Sequence, residues 1–361
     1  MVPEGKHSNI FFTGGAQKRV YQLAVHFASL GQDIFLGSDD RTNALIIRDL
    51  INRGVKFIPL KFRGNLLQNV FCVYKLYKIA RQKKIDIIHC NDRKTAIFAF
   101  LVSKVLKIKM VYTARSAFTD KKFTRFFWGK NIIAVSYGVK ENLINSFKIK
   151  AERITVIYNG GEINMPSPEE IKEIREEYHL SENKRVIVFV GRLKKEKGLF
   201  YLLDAIKLVA HVFPEIVLLI VGDGKLRADL EKRTNELSLN NNILFCGYQK
   251  NVEAYYGVAE FTILPSLWEG LPGSAIESIM LGKTVISTDV GGIPEIIQDG
   301  INGYIVPPKD SELLAKKIIE MLSNTQIIKY MSRECIRIAH AKFTLSKMME
   351  NYNNYYRRLI K

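Results

Sequence analysis

The chain has 361 residues, of which 47% are hydrophobic and 25% charged, so it is a globular protein too long for one typical core. No run reaches the roughly 18 uninterrupted apolar residues of a membrane-spanning helix, because three lysines break the apolar segment 96–112. The formal net charge is +18, which predicts an anionic partner: nucleic acid, an anionic membrane or an anionic substrate.

The charge is unevenly distributed along the chain. Residues 1–163 contain 28 Lys and Arg against 11 Asp and Glu (net +17), whereas residues 164–361 contain 26 against 25 (net +1). The first fifteen residues lack an apolar signal region, and the four cysteines have no metal-type spacing. We therefore expect a cytoplasmic protein whose first half is basic.

Short apolar, β-branched runs alternate with helical patterns in the first half. The runs are DIFLGS, VKFIPL, IDIIHC, KMVYTA, NIIAVS and ITVIYN. The helical pattern over residues 16–31 places Val20, Leu23, Phe27 and Leu30 on one face before Gly31. This alternation predicts βαβ units around a parallel sheet. The start, MVPEGKHSNIFFTGGAQ, reads as the tail of a first strand followed by its loop. Either the chain begins late or its first strand is unusually short, and a missing central strand would leave the sheet exposed.

The second half repeats the alternation after a boundary. Residues 159–181 have the turn and linker composition of a domain junction, which places the hinge near Glu162. The strands that follow are RVIVFVG, EIVLLIVGDG, NILFCGY, AEFTILPS, KTVISTDVGG and GYIVP. The predicted fold class is therefore α/β, with two Rossmann-like parallel-sheet domains that face each other across a cleft and place their ligand loops after the strands.

The segment SLWEGLPGSAIESIMLGK, residues 266–283, follows a buried strand. Glu269 lies in the loop, and Glu277 in the first turn of a helix that Ser274 begins and Gly282 ends. Free amides at a helix start favour a phosphate, and the two carboxylates suit sugar or ribose hydroxyls. The alternative is structural: Ser274 and Glu277 fit a capping box, and Glu269 could be a solvated loop residue.

A second loop supplies cations. In GRLKKEKG, Gly191 leaves a strand, Arg192 and Lys197 follow, and Gly198 opens a helix. Such cations can stabilise a departing diphosphate without a metal, and the chain contains no D-x-D pair. The alternative is a solvated basic turn.

Five motifs in order carry a resemblance to a known family. Gly14–Gly15, GRLKKEKG, IVGDG with LFCGY, EGLPGSAIE and DVGGIPEII look like a family 4 retaining glycosyltransferase of the GT-B fold. The resemblance implies domains at 1–162 and 163–340, with a helix at 341–361 that returns to the first domain. It also implies domain closure over the donor.

The same resemblance implies roles for individual residues. Glu269 would hold the hydroxyls of the transferred sugar, Glu277 would bind the ribose, and Arg192 and Lys197 would contact the diphosphate. The remaining donor-binding positions implied are Gly15, Gly191, Tyr248, Gly270, Leu271, Pro272 and Gly273.

The implied reaction moves a sugar from a nucleoside diphosphate donor, a UDP- or GDP-sugar, to an acceptor hydroxyl with retention of configuration. No bound cofactor or metal is required, and no residue is cast as a covalent nucleophile, unlike the paired carboxylates of glycosidases. The acceptor is expected to be an envelope glycan, such as lipopolysaccharide, or a lipid-linked glycan. A GT-B sugar-nucleotide epimerase and a nucleic-acid-binding protein are the alternatives, but no nucleic-acid-binding module is visible.

The first domain departs from the family pattern at its acceptor side. Many relatives have two histidines after the strand that matches IDIIHC, whereas here His89 is followed by Asn91 at the second position. His89 is either a satisfied strand-end residue or a cleft residue. Asn91, Arg93 and Arg115 are the other acceptor-side candidates.

Residues 115–130 (RSAFTDKKFTRFFWGK) interleave aromatic and basic side chains. This composition suits peripheral docking on an anionic membrane surface. The alternative is a helix that packs its aromatics into the core and leaves its lysines in solvent.

Overall fold

The computed structural model describes residues 8–12, 17–38, 44–60, 65–117 and 122–360, and the chain divides into two compact α/β units. Unit 1 comprises the chain up to Asn159 together with the residues from Met348 onward, and unit 2 comprises Gly160–Lys347. The division falls three residues before the hinge predicted at Glu162.

Within its described residues before the division, unit 1 contains seven strands and five α-helices. The strands are β1 (Ser8–Phe12), β2 (Asp33–Ser38), β3 (Lys56–Pro59), β4 (Ile87–Cys90), β5 (Lys109–Ala114), β6 (Asn131–Ala134) and β7 (Ile154–Val156). The helices are α1 (Gln17–Ser29), α2 (Ala44–Asn52), α3 (Leu66–Gln82), α4 (Arg93–Leu106) and α5 (Tyr137–Phe147), with 3₁₀ helices at Lys122–Phe127 and Ala151–Arg153.

All strands of unit 1 are parallel, in the order β3-β2-β1-β4-β5-β6-β7. β1 lies inside the sheet and pairs with β2 from Ser8↔Asp33 onward and with β4 from Asn9↔Ile87 onward. The sheet therefore has its central strand, and the short start predicted from the sequence does not leave it open. The strand order reverses between β1 and β4, which is where open α/β sheets bind ligands.

Unit 2 contains six strands and eight helices. The strands are β8 (Arg185–Val190), β9 (Ile216–Val221), β10 (Ile243–Gly247), β11 (Phe261–Leu264), β12 (Val285–Thr288) and β13 (Gly303–Val306). The helices are α6 (Pro168–Glu177), α7 (Leu199–Val212), α8 (Arg227–Glu236), α9 (Glu253–Val258), α10 (Gly273–Met280), α11 (Ile293–Ile296), α12 (Ser311–Ser323) and α13 (Thr325–Lys342), with a 3₁₀ helix at Lys195–Lys197.

The second sheet repeats the topology of the first. Its strands are parallel in the order β10-β9-β8-β11-β12-β13, so the order reverses between β8 and β11. All six residues of β9 (IVLLIV) are buried, as expected for a strand covered by helices on both faces. The α/β fold with two parallel sheets, predicted from the alternating pattern, is confirmed.

The last helix, α14 (Leu345–Ile360), carries the chain from one unit to the other. Its start is tied within unit 2, where the Leu345 amide donates to the Gly161 carbonyl at 2.8 Å. The chain passes into unit 1 at Met348, seven residues later than the domain limit expected at 341. The buried face of α14 includes Tyr352 and Tyr356, which pack into the core of unit 1.

The aromatic segment 115–130 divides between core and surface. Trp128 is fully buried and stacks on Tyr112 with ring centroids 5.0 Å apart, whereas Phe126 is 66% exposed. Assigning Trp128 to the docking surface was therefore wrong, because its ring fills the core of unit 1. Phe118, Lys121 and the side chain of Phe123, which belong to the same prediction, lie outside the described residues. No helix within the described ranges is both long and apolar enough to cross a membrane.

Candidate active site

Two loops of unit 2 leave neighbouring strands at the reversal point of its sheet. The loop 191–198 follows β8, and the loop 265–272 follows β11. The Leu267 amide donates to the Glu196 carbonyl at 2.8 Å, which joins the two loops directly. The predicted cationic and carboxylate loops, distant in sequence, therefore form one local structure.

An ion pair marks the junction of these loops. The Lys197 ammonium contacts a carboxylate oxygen of Glu269, and the same oxygen accepts a hydrogen bond from the Ser266 hydroxyl at 3.0 Å. The side chains of Lys197 and Glu269 are only 17% and 13% exposed. The structure thus brings together one predicted phosphate-binding cation and the predicted sugar-binding carboxylate, with Ser266 as a fixing residue that the sequence did not single out.

Glycines allow the backbone around this pair to approach closely. Gly198 has φ +65°, and a Cβ there would lie 2.0 Å from the Pro265 carbonyl oxygen. Gly291, in the loop after β12, has φ +58°, and a Cβ there would lie 2.1 Å from the Glu269 carbonyl oxygen. The Gly292 amide donates to the Gly270 carbonyl at 2.8 Å. The loop DVGG therefore packs directly against the backbone of Glu269, which the glycines make possible because they have no side chain.

The loop after β9 supports the cationic loop in the same way. Gly222 has φ +135°, and a Cβ there would lie 1.9 Å from the Gly191 carbonyl oxygen. The Gly222 amide donates to the Gly247 carbonyl at 2.7 Å, and the Gly191 amide to the Val221 carbonyl at 3.0 Å. The motifs IVGDG and LFCGY therefore hold the position of Gly191 and of the residues that follow it.

Helix α10 begins one residue earlier than predicted. Its first residue is Gly273, Pro272 occupies the N-cap position, and no side chain caps the helix. The capping box proposed for Ser274 and Glu277 does not form, because Ser274 is already inside the helix. Glu277 is consequently the fifth helical residue rather than part of the first turn, and its side chain is half-buried.

The start of α10 presents backbone amides without a side-chain cap. The preceding turn, Gly270 to Pro272, is buried. Amides at a helix start carry the positive end of the helix dipole and suit a phosphate. Ser278 anchors the helix on β11, since its hydroxyl donates to Thr262 Oγ1 at 2.7 Å.

Three further side chains lie exposed at the same edge of the sheet. Arg192 follows β8, and Tyr248, 77% exposed, follows β10 after Gly247 at φ +68°. Trp268 precedes Glu269 and is 46% exposed. Trp268 was given no role in the sequence-based predictions, although the sequence shows that this residue directly precedes Glu269.

In unit 1, His89 lies in the interior of the sheet. It is fully buried on β4; its Nδ1 lies 2.5 Å from the Tyr356 hydroxyl, and its Nε2 lies 2.6 Å from Thr113 Oγ1. Burial, with a smaller contribution from the Arg115 charge, lowers the pKa of His89 to about 3. Of the two roles left open for His89, the geometry supports the satisfied strand-end residue, because both ring nitrogens have protein partners.

Asn91 and Arg115 meet at the carboxyl ends of the neighbouring strands β4 and β5. Asn91 Oδ1 accepts hydrogen bonds from Arg115 Nε at 3.1 Å and Nη2 at 2.7 Å, and Arg115 Nη1 donates to Asn159 Oδ1 at 3.3 Å. Burial lowers the pKa of the Arg115 guanidinium. Arg93 is the first residue of α4 and follows Asn91 by two positions in the chain. A polar cluster thus occupies the predicted acceptor-side loop.

Two other predictions concern glycines and metals. Gly15, expected among the donor-binding positions, and its neighbour Gly14 lie outside the described residues. Over the ranges that the structure describes, no group of three or more His, Cys, Asp and Glu side chains is placed to hold a metal ion.

Two parallel sheets of this topology are the architecture of the GT-B fold. The chain matches the family described as "Glycosyltransferase Family 4" over residues 13–164 and "Glycosyl transferases group 1" over residues 170–341. The protein belongs to glycosyltransferase family 4.

Named relatives and solved structures agree with this assignment. An Escherichia coli protein, UDP-Gal:alpha-D-GlcNAc-diphosphoundecaprenol alpha-1,3-galactosyltransferase, is 25% identical over 326 residues, covering 83% of this chain and 82% of its own. A glycosyltransferase from Rickettsia africae superposes with a TM-score of 0.88 at 22% identity over 99% of both chains. HepE of Anabaena, solved with UDP-glucose, superposes with a TM-score of 0.86 at 21% identity, covering 98% and 100%.

Proposed function

We propose that this glycosyltransferase moves a sugar from a nucleoside diphosphate sugar, a UDP- or GDP-sugar, to a hydroxyl of an envelope glycan or lipid-linked acceptor. The observation that carries the proposal is the contact between Lys197 and Glu269 beside the uncapped start of α10. A cation, free amides and a hydroxyl-binding carboxylate in one place fit a sugar joined to a diphosphate.

The donor groups have separate tasks in this proposal. Lys197, Arg192 and the amides at the start of α10 hold the diphosphate and stabilise its charge as the glycosidic bond breaks. Glu269 accepts hydrogen bonds from the sugar hydroxyls, and Glu277 accepts them from the ribose. Tyr248 borders the base. These groups supply the charge stabilisation from protein atoms alone.

The transfer proceeds with retention of the anomeric configuration. The acceptor oxygen attacks the anomeric carbon on the face that the diphosphate leaves, and a diphosphate oxygen takes the acceptor proton. Glu269 pairs with Lys197, so its task is orientation of the donor, and no covalent glycosyl-enzyme intermediate forms. Asn91, Arg93 and Arg115 in unit 1 contact the acceptor.

The names of similar proteins support this donor and acceptor class. The E. coli relative is named for a UDP-sugar and a diphosphoundecaprenol-linked acceptor, and HepE was solved with UDP-glucose. An epimerase is not favoured, because the E. coli and Rickettsia proteins are named as transferases. An anionic membrane surface, reached through residues 115–130, is part of the proposal as the place where a lipid-linked acceptor is met.

Calorimetric titration with UDP, GDP, ADP and CMP tests the donor site. We expect one diphosphate to bind, with binding lost in Glu277→Ala and in Arg192→Ala and retained in the control Glu312→Ala, whose side chain is exposed at the start of α12. Equal binding by all variants would remove the assigned site. The proton coupling constant of the product's anomeric centre tests retention, and activity after chelator treatment tests independence from metals.

A further inference from the structure

One face of unit 1 is formed by α3, α4 and the 3₁₀ helix Lys122–Phe127. The crossovers β3→β4 and β4→β5 proceed in one direction across the sheet, so the right-handed rule places α3 and α4 on one face. Helix α4 packs against both α3 and the 3₁₀ helix. These three elements together form what we call the α3–α4 face.

Helix α3 exposes a continuous apolar stripe. Leu67, Val70, Phe71 and Tyr74 follow helical spacing and are each 59–78% exposed. The opposite side of α3 packs into the core, where Leu76 and the residues one helical turn before and after it are buried. The helix therefore has one apolar side for folding and a second that faces outward.

The neighbouring elements continue this apolar surface. On α4, Leu101 is 47% and Val105 69% exposed, and on the 3₁₀ helix Phe126 is 66% exposed. Single exposed hydrophobic residues need no explanation, but seven on one face do, because contiguous apolar patches mark interaction or membrane surfaces.

Cations concentrate at one end of the same face. A groove of about 890 Å³ lies at the amino ends of β5, β6 and β7, opposite the strand ends that carry Asn91 and Arg115. The described residues that line it include one carboxylate, Glu152, and six cations: Lys104, Lys107, Lys109, Lys130, Lys150 and Arg153.

These groove cations are not neutralised within the described part of the chain. No ion pair there involves them. Arg153 donates from Nη2 to the Gly129 carbonyl, but its buried Nε has no hydrogen-bond partner among the described residues. Lys104 lies 5.5 Å from the ring centre of Phe100, so an aromatic ring faces one of the groove cations.

We propose that the α3–α4 face docks on a bilayer of anionic phospholipids, with the groove cations against the lipid phosphates and the exposed apolar side chains inserted at the interface. A net charge of +17 over residues 1–163 matches an anionic surface. Aliphatic and aromatic side chains interleaved with lysines suit the boundary between headgroups and acyl chains. A nucleic acid would use the cations but gain nothing from Leu67 or Val105.

This docking rests on the membrane part of the proposed function and relocates it. The membrane part of the proposed function used residues 115–130. Of the described side chains in that segment, Phe126 and Lys130 lie on the α3–α4 face or in its groove. The other contacts with the membrane come from α3 and α4. Lys109 begins β5 and lines the groove, and Arg115 is six residues further along; at about 3.3 Å per residue the two lie roughly 20 Å apart along the strand direction. The groove therefore lies at the edge of the sheet opposite the strand ends that carry Asn91.

Flotation with lipid vesicles tests the docking without any sugar nucleotide. The full chain should float with phosphatidylcholine vesicles that contain about one third phosphatidylglycerol, and not with phosphatidylcholine alone. The charge variant Lys104→Glu/Lys107→Glu/Lys130→Glu should bind at least about a hundredfold more weakly. The apolar variant Phe71→Ser/Tyr74→Ser/Val105→Ser should bind about tenfold more weakly.

A matched control comes from the opposite face. Helix α2 lies in the β2→β3 crossover, which proceeds the other way across the sheet, and exposes Leu45 at 74% and Ile51 at 54%. Leu45→Ser/Ile51→Ser should float like the unaltered protein. The substituted side chains of all three variants are exposed or line the groove, and circular dichroism checks that each variant folds.

Three outcomes would overturn the proposal. The first is failure of the unaltered protein to float with anionic vesicles. The second is a loss of vesicle binding in the α2 control as large as that in the apolar variant. The third is single-stranded DNA that competes with vesicles for the protein while the apolar variant floats normally. Nucleotide titration is done without lipid, so failure of the docking and failure of the donor site are distinguished.

Discussion

Lys197 and Glu269 form an ion pair although 72 positions separate them in the chain, because the strands that precede them are neighbours at the reversal point of the second sheet. Both side chains are less than one-fifth exposed, so solvent screens the pair less than a surface salt bridge. The pair fixes the place where a phosphate-binding cation and a hydroxyl-binding carboxylate can act on one donor.

Substituting Glu269 should therefore separate donor orientation from diphosphate binding. Glu269→Gln keeps the shape but loses the charge, and we expect kcat/KM for transfer to fall by about 10² to 10³ while affinity for the nucleoside diphosphate changes little. Ser266→Ala, which removes one hydrogen bond to the same oxygen, should have a smaller effect. Wild-type transfer rates in Glu269→Gln would show that the carboxylate does not hold the sugar.

The glycine behind Glu269 offers a test of backbone support. Gly291→Ala places a Cβ against the Glu269 carbonyl, so both the free energy of unfolding and transfer activity should fall. Gly300→Ala is the control, because Gly300 also has positive φ (+72°) but open space around its Cβ position. The control should cost about 1–2 kcal/mol from backbone conformation alone. Denaturant unfolding measures both, and equal losses would mean that the contact with Glu269 is unimportant.

The fold was predictable because inner strands in the described part of both sheets, such as β4, β9, β11 and β12, are buried along their whole length. Uninterrupted apolar runs such as RVIVFVG and EIVLLIV each became a strand, and the turns between them contain glycines. The sequence pattern placed the Glu269 and Lys197 loops after strands, but it did not show that these two strands are neighbours in the sheet. The ion pair itself could not be derived, since it depends on the side-chain geometry of two loops.

The errors came from local patterns that three-dimensional packing overrides. Ser274 and Glu277 fit a capping box, which was the structural alternative, but Pro272 takes the cap position of α10. A capping box is present in a different helix, α6, where Ser167 and Glu170 form it. Trp128 has basic neighbours in sequence, yet its ring lies in the core. Sequence spacing does not reveal which side of a short 3₁₀ segment faces inward.

The contact between Asn91 and Arg115 leads to a prediction for the acceptor side. Asn91→Leu keeps the side-chain volume but removes the oxygen that accepts two Arg115 hydrogen bonds. We expect KM for the acceptor to rise, or kcat to fall, by about tenfold, the cost of roughly 1.4 kcal/mol. Binding of the nucleotide should be unchanged, because the donor groups belong to unit 2. Loss of nucleotide binding in Asn91→Leu would contradict this division of roles.

His89 makes the stability of unit 1 depend on pH. In the folded chain burial holds its pKa at about 3, whereas the unfolded chain has the ordinary value near 6.5. Between these values the unfolded state binds the extra proton, so the contribution of His89 is complete above about pH 6.5 and is lost as the pH falls toward 3. The free energy of unfolding should decrease by up to about 1.4 kcal/mol per pH unit from this residue.

Urea unfolding at pH 7, 6, 5 and 4 checks this slope against two variants. His89→Gln removes the titrating ring, so its pH dependence should be shallower than that of the unaltered protein across this range. Tyr356→Phe removes the hydroxyl beside Nδ1 but keeps the ring buried, so it should lower stability by about 1–3 kcal/mol at every pH without flattening the slope. If His89→Gln proves too unstable to measure, the imidazole NMR signals of the unaltered protein decide: a His89 ring that protonates above pH 5 would refute the prediction.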